Sequence, residues 1–258
     1  MDIDITQKKL VVFDMDDTIT PSKSPIGADM AELLLQLSRK VFVGVVSGGK
    51  HAQFEKQLLQ YLSPEIRNEA TLYIGPTSGA QMYHVGEVEK KIHGTVLPAV
   101  VMREVEDAYF SSAKEVGIVF PEITYGSVFE ERDGTQISFS PFGQEAPYEV
   151  KKDWDRDRGK RLAIREKMLP KIQQYGLDVL IGGVSTMDVV AKGVNKAYFL
   201  DKLVEHLGIK KEDVLYVGDA VFPGGNDYAP KEAGYDCINV ESIKETKGII
   251  EHVLISKK

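Results

Sequence analysis

Leu10-Val11-Val12-Phe13 is an unbroken apolar run with two β-branched valines, followed at once by Asp14 and then by Asp16. Because the run does not alternate, both faces of such a strand must be covered, as they are in a parallel sheet flanked by helices. Ending that strand in acid sets burial against charge. Open α/β sheets place this conflict at the carboxyl ends of their strands, where ligands bind. Asp14 and Asp16 are therefore candidate site residues, with a turn-capping Asp pair as the plain alternative. A calcium loop fits less well: counted from Asp14, its glycine position is Ile19 and its closing glutamate position is Pro25.

The same pattern of strand, polar turn and helix recurs along the chain. Met30, Leu33, Leu34 and Leu37 form a helical stripe, and Val41 to Val46 reads as a second buried strand. That strand runs into Ser47-Gly48-Gly49, ahead of a helix showing Phe54, Leu58, Tyr61 and Leu62 on one face. A hydroxyl and two glycines between strand and helix can cradle a phosphate with backbone N–H groups, or can simply be a tight turn capped by serine. Thr71 to Ile74 is a third strand.

Beyond about Tyr83 the texture changes. Val101, Val105, Ala108 and Ser112 mark a helix, and Asp133-Gly134 between two strand-like runs signals a hairpin. A charged stretch from Glu149 to Lys160 precedes a helix in which Pro170 is expected to cause a break or kink. Leu177 to Ile181 and Met187 to Val190 read as strands. The first texture then returns with the stripe Leu200, Leu203, Val204 and Leu207, ended by Gly208, and with the strand Val214 to Val217 leading to Gly218-Asp219. The loop Pro223-Gly224-Gly225-Asn226-Asp227, a strand from Tyr235 to Val240 and a helix from Ser242 to Leu254 complete the chain. The expected fold is α/β: a Rossmann-like core with a parallel sheet, residues 1–85 and 192–258, and an inserted α+β cap domain, residues 86–191.

At 258 residues with 43% hydrophobic content the chain can fill such cores. A formal charge of -7 argues against a nucleic-acid partner, which would call for a basic surface. The single cysteine, Cys237, reads as a structural thiol, in keeping with a reducing, cytoplasmic setting. The acidic amino terminus lacks the pattern of a secretory signal, and no apolar run approaches the ~20 residues of a membrane span, so no membrane association is expected.

Four strand ends or adjoining loops thus carry complementary groups: Asp14 with Asp16, Ser47 with Gly48, Lys196 at a helix start, and Asp219 with Asp227. Parallel strand ends converge, clustered Asp oxygens suit Mg²⁺, and a lysine beside them can offset charge and hold a phosphoryl oxygen. In this order the set Asp14-Met15-Asp16-Asp17-Thr18, Ser47-Gly48-Gly49, Lys196 and Gly218-Asp219 with Gly225-Asn226-Asp227 resembles the haloacid-dehalogenase superfamily of phosphoryl-transfer enzymes. Gly182-Gly183 with Asp188, Gly193-Val194-Asn195-Lys196 and the segment Gly218 to Asp227 are similar to its eukaryotic-type phosphomannomutase branch, which carries a type IIB cap.

The resemblance implies that Asp14 is the nucleophile and Asp16 the general acid and base. It implies Mg²⁺ held by Asp14, the backbone carbonyl of Asp16 and Asp219, with Asn226 and Asp227 ordering the metal shell. Ser47, the backbone of Gly48 and Gly49, and Lys196 would bind the phosphoryl oxygens. In the cap, Arg132 matches a substrate-phosphate arginine, Gln144 and Lys151 stand where two others would be, and Lys23 replaces an arginine of the core loop. Thr186 and Asp188 lie on the strand that would meet sugar hydroxyls. Asp17 stands where the family usually has glycine. Because these departures weaken the grip on a distal phosphate, the expected reaction is hydrolysis of a sugar phosphate or similar small phosphometabolite. The alternative is a phosphomannomutase interconverting mannose 6-phosphate and mannose 1-phosphate. A non-catalytic phosphate-binding module is a second alternative, disfavoured by the second acid at Asp16. A homodimer through the cap is compatible with the resemblance.

Overall fold

A computed structural model of the chain describes residues 3–62, 71–86, 88–97 and 101–257. Its strands are β1 (Leu10–Asp14), β2 (Phe42–Val46), β3 (Leu72–Gly75), β4 (Gln81–Val85), β5 (Lys90–Gly94), β6 (Phe129–Arg132), β7 (Gln136–Phe139), β8 (Leu177–Gly182), β9 (Thr186–Ala191), β10 (Val214–Gly218) and β11 (Asp236–Asn239). The helices are α1 (Ala28–Ser38), α2 (His51–Gln57), α3 (Met102–Glu115), α4 (Tyr148–Lys151), α5 (Gly159–Ile172), α6 (Lys196–Leu207), α7 (Tyr228–Glu232) and α8 (Ile243–Ser256). Two compact units result, Met1–Gly94 with Asn195–Lys258, and Thr95–Val194.

The first unit is built on a seven-stranded sheet of order β11-β10-β1-β2-β3-β4-β5, parallel from β11 to β3 and antiparallel beyond. Every residue of β1 is buried. Val11 and Phe13 pack with Met30, Leu34 and Leu37 of α1 and with Ile250 and Val253 of α8. Leu10 and Val12 face the other way, onto Phe199, Leu200 and Leu203 of α6. Helices on both faces are the reason the strand reads as an unbroken apolar run. From β1 the chain steps outward through β2 to β3, and later returns to β10 on the opposite side of β1. The strand order therefore reverses between β1 and β10, which is where such sheets open a crevice at their carboxyl ends.

Helix α6 sits tightly on this sheet. Asn195 caps it by accepting a hydrogen bond from the Tyr198 N–H at 3.1 Å, and Gly208 ends it at φ 64°. Gly75 of β3 leaves the space its packing needs: a Cβ there would lie 2.6 Å from the Phe199 ring. The sequence boundary at residue 85 falls in the β4–β5 hairpin, whose strands extend this sheet to Gly94. The sequence reading missed both of these strands, because neither is an apolar run.

The second unit carries a four-stranded antiparallel sheet of order β6-β7-β9-β8. Asp133 and Gly134 take φ 54° and 69°, the left-handed pair that a two-residue hairpin needs. One sheet face, with Ile137, Phe139, Val179, Met187 and Val189, packs on Val105 and Tyr109 of α3 and on Ile164 and Met168 of α5. Tyr109 stacks on Phe139 at 4.0 Å. The break expected at Pro170 is absent from α5, which runs on to Ile172. Ile164, Met168 and Ile172 are fully buried at four-residue spacing, so core packing keeps the helix continuous through the residue that lacks an N–H. A further device escaped the sequence reading. Arg161, buried with Asp155, donates to the Gly182 and Gly183 carbonyls and so fixes the β8–β9 turn.

Candidate active site

Asp14 is the last residue of β1, and Asp219 follows directly on β10, its parallel neighbour. Asp227 reaches the same place from the loop before α7. One carboxylate oxygen from each of Asp14, Asp219 and Asp227 lies within 4.8 Å of the others. Lys196, the first residue of α6, points its ammonium between two of them, bonding Asp14 Oδ1 and, at 2.5 Å, Asp227 Oδ1. Gly218 makes the arrangement possible, because a Cβ at that position would meet the Asp227 carboxyl carbon at 2.6 Å.

The charges here are out of balance. Burial pushes the Asp14 carboxyl well above the ordinary range, with Lys196 opposing and the Asp227 charge adding to the effect. Burial also raises Asp219, to about 7, again helped by Asp227. For Asp227 burial acts in the same direction, but the Lys196 charge outweighs it, with hydrogen bonds from Lys196, Tyr216 and the Ala220 N–H, and the carboxyl stays below its usual value. With all three carboxyls ionised against one ammonium, two negative charges would remain, which a single divalent cation would neutralise. Hard, clustered oxygens of this kind suit Mg²⁺ chemically. Asp227, which the resemblance implies would order the metal shell, lies inside the carboxylate cluster. Asn226 beside it is exposed.

Asp16 is held apart from this cluster. Its Oδ1 accepts the Lys23 N–H at 2.8 Å and the Gln57 amide at 3.1 Å, so Lys23 contributes its backbone to this contact. Asp17 adopts φ 60° and accepts from the Ser22 N–H five residues on, a bond across the loop. The Ser47 hydroxyl accepts from the Gly49 N–H at 3.2 Å, which is the serine-capped turn. Thr77 N–H and Ser78 N–H bond the Gly49 and Ser47 carbonyls, fastening the loop that contains Gly48.

The remaining sequence candidates lie in the second unit. Arg132 donates to Glu130 at 2.8 Å and to Gln144 at 3.0 Å, and its guanidinium lies 3.7 Å from Asp188. Burial raises Asp188, with Arg132 opposing. Thr186 is on the same strand two residues before Asp188, and Lys151 is a buried residue ending α4. Three residues at the first unit's site were missed from sequence. Tyr216 donates to Asp227 at 2.5 Å from inside β10, and Gln53 and Gln57 face Asp16 from α2. A phenol within an aliphatic strand and two amides at i and i+4 were the available signals.

A family profile described as eukaryotic phosphomannomutase matches residues 30–256. The chain belongs to the eukaryotic phosphomannomutase family. Relatives in this family include a probable phosphomannomutase of Caenorhabditis elegans, 28% identical over 263 residues and 96% of each chain. The phosphomannomutase of Schizosaccharomyces pombe is 28% identical over 94% of each. Among solved structures, the IMP-bound Plasmodium falciparum IMP-nucleotidase superposes with a TM-score of 0.68 at 16% identity, over 96% of this chain and 68% of that one. A haloacid dehalogenase-like hydrolase from Bacteroides thetaiotaomicron gives 0.63 at 17%, over 95% and 99%. These two likenesses show the fold alone, which is haloacid dehalogenase-like. As a phosphomannomutase-family member the chain is an enzyme of that type. The profile match begins after Asp14 and Asp16. No helix among the described residues is long and apolar enough to cross a membrane.

Proposed function

We propose that this enzyme is a Mg²⁺-dependent phosphomannomutase-type phosphotransferase that moves a phosphoryl group on a hexose phosphate by way of Asp14. The observation that carries the proposal is the set of buried Asp14, Lys196 and Asp227 with half-buried Asp219 at the reversal of strand order. Family membership supports isomerisation as the main reaction, ahead of the hydrolysis expected from sequence.

Asp14 attacks phosphorus through a carboxylate oxygen, while Asp16 gives its proton to the departing sugar oxygen. A hexose monophosphate then presents its free hydroxyl, Asp16 takes that proton, and the acceptor oxygen removes the phosphoryl group from Asp14 to give a bisphosphate, whose other phosphate is the one transferred in the next round. Lys196 offsets the charge on the transferring group and keeps Asp14 aimed, and Asp227 with Tyr216 holds Lys196 in place. Backbone N–H groups around Ser47, Gly48 and Gly49 receive phosphoryl oxygens. Mg²⁺ would be held by Asp14, Asp219 and the Asp16 carbonyl, with Asn226 in its outer shell, and would supply positive charge to the phosphoryl oxygens. Arg132, Gln144, Lys151 and Lys23 are the groups for the non-reacting phosphate, and Thr186 and Asp188 for sugar hydroxyls.

Hydrolysis is the second reading. It is favoured by one observation: the Arg132 guanidinium already faces Glu130, Asp188 and Gln144, so a distal phosphate meets carboxylates as well as the fork. Incubation with mannose 1-phosphate, Mg²⁺ and a hexose 1,6-bisphosphate activator separates the two. Isomerised 6-phosphate should exceed free phosphate, and the reverse ratio would make the enzyme a phosphatase. Asp14→Asn should abolish both products and the base- and hydroxylamine-labile phosphate on the protein, and retained turnover would remove Asp14 from its role.

A further inference from the structure

Helix α2 begins four residues after Ser47 and turns two amide side chains, Gln53 and Gln57, toward Asp16. Gln57 is 4% exposed, a rare degree of burial for glutamine. Its amide nitrogen donates both hydrogens, one to the Ser24 carbonyl at 3.0 Å and one to Asp16 Oδ1 at 3.1 Å. Its own Oε1 is buried and has no partner among the described residues. Turning the amide over would set that oxygen against two acceptors, so the orientation is forced, and one orphaned oxygen is accepted to keep it. The backbone adds a further link, Ile26 N–H to the Gln57 carbonyl at 2.8 Å. Gln57 therefore ties together Asp16, the loop from Ser22 to Ile26, and the end of α2.

The consequence falls on the two oxygens of Asp16. Oδ1 accepts two N–H donors, from Lys23 and Gln57. An oxygen so engaged is a poor place for a proton. Among the described residues, Oδ2 has only the Gln53 amide, at 3.5 Å. Gln53 itself lies over Gly49, where a Cβ would come within 2.3 Å of its Oε1.

Taking Asp16 as the acid and base of the reaction proposed above, we propose that Gln57 is its positioning residue, fixing the carboxyl rotamer and making Oδ2 the oxygen that gives and takes the proton. Gln57 touches neither phosphorus nor sugar in this scheme. It acts through Asp16, and its effect should follow the need for acid assistance.

The test uses Gln57→Leu and Gln57→Glu in the full chain with Mg²⁺, comparing a hexose phosphate with p-nitrophenyl phosphate. The alkyl sugar oxygen leaves poorly and needs the proton, whereas the nitrophenolate leaves without it. Hexose phosphate turnover should fall about ten- to hundredfold, in kcat more than in KM, the size of one lost hydrogen bond to a charged group. Turnover of p-nitrophenyl phosphate should barely change. Wild-type rates on both substrates, or equal losses on both, would overturn the proposal. If Gln57→Leu fails to fold, Gln57→Glu keeps length and shape and carries the comparison. Asp16→Asn distinguishes the levels of failure. A leaving-group-selective Asp16→Asn beside inert Gln57 variants removes the proposal alone, and an Asp16→Asn without selectivity removes the acid-base reading and the proposal with it.

Discussion

Asp219 is half-buried beside Asp227, and its carboxyl is raised to about 7 from an ordinary 3.8. An acid that is weaker in the folded state binds its proton more tightly there, so folded protein holds more protons than unfolded protein between these values. Stability must then fall as pH rises through that window. Asp14 acts in the same direction, whereas Asp227, held low, loses its contribution as pH falls. Without divalent cation, the melting temperature should decline from about pH 4 to about pH 7, and Asp219→Asn should flatten the decline. Saturating Mg²⁺ binds the ionised carboxylates and should raise the melting point most at the upper end of the range. Scanning calorimetry with and without chelator checks this, and an unchanged slope in Asp219→Asn would assign the effect elsewhere.

Helix α6 sets the position of the ammonium. Lys196 is its first residue, and Phe199, one turn on, is the ring that Gly75 accommodates from the sheet. The same ring would also contact a Cβ at Gly44, at 3.4 Å, so it has little room to yield. Gly75→Ala should therefore cost about 1–3 kcal/mol through overpacking. Because the displaced element carries Lys196, kcat should fall along with the melting temperature. A variant as stable as the wild type, or destabilised with full kcat, would show that the helix seat does not control the site. The loop Ser47 to Gly49 is positioned similarly, by hydrogen bonds from Thr77 and Ser78. Those two residues have φ 52° and 59°, conformations that L side chains seldom adopt outside constrained segments.

At the scale of the molecule, each unit has its own apolar core, and the polar groups with a proposed part in chemistry are divided between them. The first unit holds the acids and Lys196, and the second holds Arg132, Gln144, Lys151, Thr186 and Asp188. Charge-assisted contacts to phosphate are worth ~1.5–3 kcal/mol. Arg132→Lys, which keeps the charge and loses the fork, should thus lower kcat/KM for a hexose bisphosphate by about tenfold or more and leave p-nitrophenyl phosphate almost untouched. Equal kinetics on the bisphosphate would mean that Arg132 serves only its neighbours Glu130, Asp188 and Gln144.

The local chemistry was legible in the chain itself. A continuous apolar run demands cover on both faces, so β1, β2 and β10 announce a parallel sheet, and the acids at their ends announce a site. Asp133-Gly134 announces its hairpin because few residue pairs tolerate two positive φ angles. Two kinds of information were absent. The strands β4 and β5 draw on pairing, β4 with β3 and β5 with β4, more than on any apolar pattern of their own, and α5 passes Pro170 because residues distant in the chain pack on it. Asp227 as the anchor of Lys196, Tyr216 beneath it and Gln57 behind Asp16 depend on contacts between residues far apart in the chain. Residue type and spacing specify what a side chain can do, and only tertiary packing decides which partner is within 3 Å of it.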